Sequence, residues 1–175
     1  EHAHEVGQVV RKSETVDLLQ FLVVKDGFGG LKFDAELFHQ DMKTSSPSVW
    51  RGLYGDYAVA IEIEKVSSRD FVVKNLIKNS DEEHLKYQNK AGLTFLNHLS
   101  KNTFTDEAEA YASFGFSYII PEMREGREEF EWIQSHNNED LVTWEKLKGT
   151  VHNHSTYSDG SHTLKEMADY CKGLG

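Results

Sequence analysis

The fold is decided by residues 58–64, which read Ala-Val-Ala-Ile-Glu-Ile-Glu. The stretch begins as a continuous apolar run and then alternates, so its two isoleucines point to one side of a strand and its two glutamates to the other. Residues 50–54 form a second strand-like run, and Gly55-Asp56 between the two runs is a turn signal. The sequence therefore predicts a β-hairpin whose second strand covers residues 57–66.

Further elements are predicted on both sides of this hairpin. Upstream, residues 15–24 are apolar and end in β-branched residues, which is typical of a buried strand. We expect residues 31–34 to form a short strand and residues 35–43 a short helix. Downstream, capping sequences predict four helices, over about 71–76, 79–99 and 105–115 and from about Leu164.

Composition excludes several classes of protein. The chain has 175 residues, and 38% are hydrophobic, which is enough for the core of one domain or two small ones and excludes a disordered chain. No apolar run approaches the length of a membrane span, and the N-terminus lacks the features of a signal peptide. The single cysteine, Cys171, excludes an intrachain disulfide and favours a reducing compartment, so we expect a cytoplasmic location.

The net charge of −10 argues against a broad non-specific surface for nucleic acids, because such a surface needs clustered lysine and arginine. A local contact with phosphate remains open, since backbone N–H groups at helix N-termini bind phosphate.

The most specific chemical pattern is residues 151–160, which read Val-His-Asn-His-Ser-Thr-Tyr-Ser-Asp-Gly. Two histidines at positions i and i+2 of a strand end point to the same side, and a carboxylate five residues later can return to them through a turn. Imidazole and carboxylate ligands suit zinc, manganese or iron. The pattern predicts a metal site formed by His152, His154 and Asp159, with His162 facing solvent outside it.

The order of these elements resembles the opening of the polymerase-and-histidinol-phosphatase (PHP) domain, a metal-dependent phosphoesterase barrel. The resemblance implies that His152, His154 and Asp159 are metal ligands and that the complete domain uses its metals to activate water and clamp a phosphate. That domain takes further ligands from later strands, and only residues 149–175 correspond to it. Metal binding by this chain alone is therefore expected to be weak and non-catalytic.

Several upstream stretches resemble the family-X DNA polymerases, which in bacteria join a polymerase core to a PHP domain. Residues 105–115, Thr-Asp-Glu-Ala-Glu-Ala-Tyr-Ala-Ser-Phe-Gly, are similar to the family pattern T-E-E-E-x-Y-x-x-L-G. Residues 118–127, Tyr-Ile-Ile-Pro-Glu-Met-Arg-Glu-Gly-Arg, are similar to Y-I-P-P-E-L-R-E-x-R-G-E. Residues 71–84 keep the spacing of F-x-x-x-L-x-x-x-T-G-S-x-x-H, with Asn79, Ser80 and Asp81 where the family has Thr-Gly-Ser.

This resemblance implies an α+β fold with a partial nucleotidyltransferase palm on a mixed β-sheet, a small helical thumb, and the first strand and helix of a PHP barrel. The corresponding expected domains are residues 1–70 for a partial, degenerate palm, 71–132 for the thumb, 133–148 for a linker and 149–175 for the PHP fragment. We therefore expect a chain that is cut at both ends relative to the family.

The resemblance also implies that the catalytic acids of the palm are lost. Residues 7–16, Gly-Gln-Val-Val-Arg-Lys-Ser-Glu-Thr-Val, are similar to G-S-x-R-R-x-x-E-T-V, which the family continues with the magnesium-binding G-D-x-D. The two aspartate positions fall on Leu18 and Gln20, and the third family carboxylate falls on Glu62. Leucine offers no oxygen and the glutamine amide carries no charge, so magnesium binding at the palm and polymerase activity are not expected.

Several functions remain open at this point. The resemblance implies a DNA-binding, DNA-repair scaffold with weak nucleotide or DNA contacts through Arg11 and residues 79–81, tethered to a PHP phosphoesterase that acts on DNA ends or phosphate monoesters. One alternative is an active nucleotidyltransferase that uses Asp17, Glu62 and Glu64.

Another alternative is a non-catalytic interaction module whose contacts are Trp50, Trp132 and Trp144, although tryptophans in a small chain are more often core residues. The strand and helix of residues 149–175 lack partners for their apolar faces. They therefore predict docking on the remainder of a PHP domain, a domain-swapped or self-associated dimer, or disorder.

Overall fold

The computed structural model describes residues 3–25, 33–149 and 151–174. The chain divides into two compact units, Glu1–Asn138 and Glu139–Gly175. The boundary between the units falls within the stretch 133–148 that is expected to be a linker.

The described residues of unit 1 form a five-stranded sheet in the order β1-β2-β5-β4-β3. The strands are β1 (Ala3–Val6), β2 (Leu19–Val24), β3 (Phe38–Gln40), β4 (Val49–Tyr54) and β5 (Val59–Val66). The β2–β5 pair is parallel and the other three pairs are antiparallel, so the sheet is mixed. The register places Gln20 beside Glu62 and Tyr54 beside Val59.

The predicted hairpin is confirmed, because β4 and β5 pair on either side of the turn at residues 55–58. The predicted strand over residues 15–24 begins only at Leu19, because pairing with β5 starts there and pairing with β1 starts at Gln20. Residues 31 and 32 of the expected strand over 31–34 lie outside the described residues, and residues 33 and 34 are not in a strand.

The helix expected over residues 35–43 is wrong, since this segment contains β3. Phe38 pairs with Tyr54 and its ring lies 4.9 Å from the Tyr54 ring and 5.6 Å from the Trp50 ring. Sheet pairing and aromatic packing therefore override the local helix propensity of the segment.

Unit 1 also contains five short helices within its described residues. They are α1 (Phe71–Lys78), α2 (Glu82–Lys86), α3 (Phe95–Lys101), α4 (Glu107–Phe114) and α5 (Glu129–Trp132). The α4 helix begins where predicted, because the Asp106 side chain accepts the Glu109 N–H, and it ends at Gly115, whose φ of +100° gives a left-handed cap.

The single helix expected over residues 79–99 is wrong, because α2 ends at Lys86 and α3 begins at Phe95. Between them Tyr87 leaves the helix and stacks on Phe130 at a ring distance of 3.9 Å. Gly92 has a φ of +75°, and Thr94 starts α3 by accepting the Asn97 N–H. The predicted helix is therefore interrupted after Lys86, because the Tyr87 ring packs against Phe130.

Three apolar clusters among the described residues hold unit 1 together. The helices enclose one apolar cluster, whose fully buried members include Leu76, Phe95, Leu99, Tyr111 and Ile119. The sheet buries Trp50, Ile61 and Ile63 on one face, and on its other face Val6, Leu22 and Val66 pack with Phe71 of α1. We call the face that carries α1 the helix-side face.

Unit 2 contains one α-helix among its described residues, α6 (Leu164–Leu174), which begins where predicted. Thr163 and Glu166 form a reciprocal cap at its start. Residues 149 and 151–154 do not form the expected strand, since a strand exists only when another strand pairs with it.

The predicted α+β class is confirmed: the mixed sheet and the helices of unit 1 are consistent with a partial palm and a small helical thumb. None of the helices in the described ranges has the length and apolar character of a transmembrane span.

Candidate functional site

The helix-side face of the sheet brings together two of the three positions predicted to correspond to catalytic acids. Gln20 and Glu62 lie side by side on the parallel strands β2 and β5, and Gln20 Nε2 donates to Glu62 Oε1 at 2.9 Å. Leu18 lies one residue before β2 and is half-buried. Its hydrocarbon side chain supplies no ligand atom for a cation.

Two cationic side chains contact the same Glu62 carboxylate. Arg51 on β4 donates through Nε and Nη2 to Glu62 Oε2, both at 2.6 Å. Lys78 on α1 contacts Glu62 Oε1 and also lies 3.3 Å from Glu64 Oε2. Lys74, one turn earlier on α1, contacts Glu64 Oε1 at 2.6 Å. The sheet cluster is our name for the six residues of this network: Gln20, Arg51, Glu62, Glu64, Lys74 and Lys78.

The sheet cluster contains two carboxylates and three cationic groups, so its formal charge is positive by one. Burial alone raises the pKa of the Glu62 carboxyl, whose side chain is 5% exposed. Hydrogen bonds from Lys78, Gln20 and Arg51, together with the charge of Lys78, outweigh burial and lower that pKa from 4.5 to about 2. Glu62 is therefore held as a carboxylate by side chains of the protein.

We expect Glu62→Gln to remove a pH-dependent part of the stability. A carboxyl whose pKa is lower in the folded state stabilises the fold fully above its unfolded pKa and loses that contribution as the pH falls through its folded pKa. As the pH falls from 4.5 to about 2, the free energy of unfolding of the wild type should therefore decrease by up to about 3 kcal/mol more than that of Glu62→Gln. Urea unfolding at each pH measures this difference. Glu36→Gln, at an exposed position, should show the same dependence of the free energy of unfolding on pH as the wild type. The same dependence in Glu62→Gln would contradict the prediction.

The residues predicted to make weak nucleotide or DNA contacts have folding contacts in this structure. Asn79 accepts the Gly7 N–H through Oδ1 at 2.8 Å, and Ser80 Oγ donates to the Leu76 carbonyl at 2.8 Å. Asp81 caps α2 by accepting the Glu83 N–H. Arg11 lies in the turn after β1, where its backbone N–H donates to the Gly7 carbonyl at 3.1 Å.

Asp17, the alternative catalytic acid, is exposed and lies outside β2. Its backbone N–H donates to Gln8 Oε1 at 2.9 Å, and its carboxylate accepts Gln8 Nε2 at 3.4 Å. Among the described residues, the structure gives Asp17 no contact with Glu62 or Glu64.

The three tryptophans of the alternative interaction module have different environments. Trp50 is buried in the sheet, Trp132 is half-buried and Trp144 is 81% exposed.

In unit 2, the three predicted metal ligands lie in one turn. The rings of His152 and His154 stack with centroids 5.0 Å apart, and His154 Nδ1 contacts Asp159 Oδ1. The hydrogen bond from His154 lowers the pKa of the exposed Asp159 carboxyl. Residues 3–25, 33–149 and 151–174 contain no preformed group of three or more His, Cys, Asp or Glu side chains in metal-binding geometry.

Gly160 gives this turn its shape. A Cβ atom at position 160 would lie 2.2 Å from the His154 carbonyl oxygen, so only glycine permits the approach. The Gly160 N–H donates to the Ser155 carbonyl at 3.0 Å, and Ser155 is buried. The Ser-Asp-Gly sequence therefore returns Asp159 to His154, as the spacing predicts.

The helical part of unit 1 contains residues whose role the sequence did not reveal. His84 is fully buried, with Nδ1 2.6 Å from Glu129 Oε1 and Nε2 2.8 Å from Tyr111 Oη. Arg124 is also fully buried and contacts Glu107 Oε2 at 2.5 Å. Both side chains connect separate helical segments through polar contacts in the core.

The chain is similar to a protein of Bacillus subtilis (strain 168) named DNA polymerase/3'-5' exonuclease PolX. The two are 42% identical over 69 residues, which cover 39% of this chain and 12% of the B. subtilis protein. This chain therefore spans a small part of the curated relative that it matches. No protein-family model matches the chain. The match supports a relationship to the family-X DNA polymerases.

Proposed function

We propose that this chain is part of a family-X polymerase-like DNA-repair protein whose nucleotidyl-transfer site is defective and whose C-terminal end begins a PHP phosphoesterase domain. Within it, residues 1–70 are a degenerate palm, 71–132 the thumb, 133–148 a linker and 149–175 the PHP fragment. DNA is the proposed partner, and the proposed location is cytoplasmic.

The sheet cluster is the observation that supports the defective site. Phosphoryl transfer depends on metal ions that carboxylates hold in place. At this position Gln20 is uncharged, and Glu62 is already bound by the guanidinium of Arg51 and the ammonium of Lys78. A divalent cation would have to displace both groups and bind in a cluster of net positive charge. The residues present therefore do not fit a magnesium site.

The turn around His154 supports the PHP part of the proposal. Its donor set of two imidazoles and one carboxylate fits manganese, zinc or iron. His152, His154 and Asp159 would hold the metal, and the metal would activate water for phosphoester hydrolysis once the later strands complete the site. In this chain alone the three residues would bind the metal only weakly.

A manganese titration of the wild-type chain and designed variants tests the proposal. All variants carry His154→Ala, which removes the contribution of the turn. In that background we expect no Mn²⁺ binding at the sheet cluster of the otherwise wild-type chain. Adding Leu18→Asp, Gln20→Asp and Lys78→Met should create a site that binds Mn²⁺ at least about tenfold more tightly than the His154→Ala chain does. Three carboxylates then face the cation, and the ammonium group of Lys78 is no longer present.

Electron paramagnetic resonance of free Mn²⁺ gives the binding constants. Circular dichroism verifies that each variant is folded. The proposal would be overturned by two results together. The His154→Ala chain would bind Mn²⁺ and lose that binding when Glu62→Gln is added, and the chain would extend a primer on gapped DNA, which would show an intact transferase site.

A further inference from the structure

A cleft lies between the beginning of α1 and the end of α3, two helices that contact each other in unit 1. It encloses about 620 Å³. Arg69, Asp70 and Lys74 line the side formed by α1, and residues 99–103 line the side formed by α3 and the segment after it. We call this cavity the α1–α3 cleft.

The core of the helices fixes both sides of the α1–α3 cleft. Leu99 lines the cleft and is a fully buried member of the helical apolar cluster. Val73 lines the opposite side and packs against the same cluster. Because packed side chains hold their backbone in place, the charged residues close to Val73 and Leu99 in the chain extend from a rigid base.

The charged side chains of the α1–α3 cleft are mainly cationic. Arg69, Lys74 and Lys101 supply three positive groups and Asp70 supplies one carboxylate, so the lining is positive by two in a chain of net charge −10. Glu64 lies outside the lining and contacts Lys74 at 2.6 Å, which offsets one of these charges. A surplus of positive charge therefore remains in the cleft, and it favours an anion.

Two of the three cations are available to a ligand. Arg69 and Lys101 are exposed, and neither forms an ion pair or a side-chain hydrogen bond within the part of the chain that the structure describes. They come from separate elements and line opposite sides of one cleft. A guanidinium group and an ammonium group in this arrangement match the oxygens of a phosphate, which accept from both.

We propose that the α1–α3 cleft binds a backbone phosphate of DNA, an inference that rests on the proposed function, in which DNA is the partner of the chain. The Arg69 guanidinium donates to two phosphate oxygens, and the Lys101 ammonium neutralises the phosphate from the other side of the cleft. Side chains supply the positive charge, so this contact needs no metal ion. Because backbone phosphates carry no sequence information, the cleft positions DNA without selecting its sequence.

Fluorescence polarisation with a fluorescein-labelled gapped DNA duplex tests this proposal on the whole chain. EDTA is present, and the affinity is measured between about 50 and 200 mM NaCl. At low salt, Arg69→Gln combined with Lys101→Gln should bind the duplex about tenfold more weakly than the wild type. The slope of the logarithm of the affinity against the logarithm of the salt concentration should become shallower by about 1, because one phosphate is no longer neutralised.

The matched control is Arg127→Gln combined with Lys172→Gln. It also replaces one arginine and one lysine, at exposed positions outside the cleft, so the net charge changes by the same amount. The control should keep the affinity and the salt dependence of the wild type. Circular dichroism verifies that both double variants are folded.

The possible failures point to different conclusions. If the wild type binds no DNA, both this inference and DNA as the partner in the proposed function are wrong. If the wild type binds DNA and the two double variants weaken binding equally, only the cleft is excluded. Calorimetry with inorganic phosphate tests the other source of the same ligand. Saturable binding of phosphate that is lost in the Arg69→Gln and Lys101→Gln variant, without an effect of these substitutions on DNA binding, would overturn the assignment to DNA.

Discussion

Replacing Arg124 by methionine should destabilise unit 1 by about 3–5 kcal/mol. The guanidinium is fully buried, donates through Nε to the Ile119 carbonyl at 2.9 Å and pairs with Glu107. It also lies 5.4 Å from the centre of the Tyr118 ring. Removing the cation leaves the Glu107 carboxylate, which is only 18% exposed, without its compensating charge.

The measurement is the free energy of unfolding in urea, followed by circular dichroism. Arg127→Met is the matched control, because Arg127 is 83% exposed and lies 3.6 Å from Glu125, and it should change stability by less than about 0.5 kcal/mol. Adding Glu107→Gln to Arg124→Met should recover part of the loss, since no unpaired charge then remains. Equal unfolding midpoints for the two arginine variants would contradict this account.

His84→Ala is expected to cost about 3–4 kcal/mol. Burial lowers the pKa of the His84 imidazole, so the neutral ring is favoured. A neutral ring that meets a carboxylate at Nδ1 donates there to Glu129 and accepts the Tyr111 hydroxyl at Nε2. The variant loses both hydrogen bonds and the stacking on Phe130 at 4.6 Å.

His136→Ala provides the comparison, because His136 also stacks on an aromatic ring, that of Trp132 at 4.8 Å, but is exposed. It should change stability by less than about 0.5 kcal/mol in the same urea experiment. If both histidine variants unfolded at the wild-type midpoint, the buried network would carry no stability and the prediction would be wrong.

Local sequence signals predicted the elements that depend on neighbouring residues. The β4–β5 hairpin follows from alternation around Gly55, and α4 follows from the Asp106 cap and Gly115. The errors arose where distant residues decide the structure. Residues 35–43 contain the strand β3 (Phe38–Gln40) because β4 pairs with it, and the helix after Asp81 stops because Tyr87 stacks on Phe130.

The candidate sites were also predictable only in part, because contacts between distant residues form them. The alignment of Gln20 and Glu62 with catalytic positions came from the family resemblance, and the parallel β2–β5 register places the two side chains together. The cations that contact Glu62 and Glu64 were missed, although Lys74 and Lys78 are one helical turn apart and follow a strand with two glutamates on one face. Only the packing of α1 on the sheet shows that these charges meet.

The parallel pairing of β2 with β5 also bears on how the chain folds. Gln20 and Glu62 are 42 residues apart, so their contact closes a long loop, whereas the β4–β5 hairpin closes a short one. Short hairpins form in about 1–10 μs, and long-range pairing must first overcome a larger loss of chain entropy. We therefore expect the β4–β5 hairpin to form first and β2 to pair with β5 later.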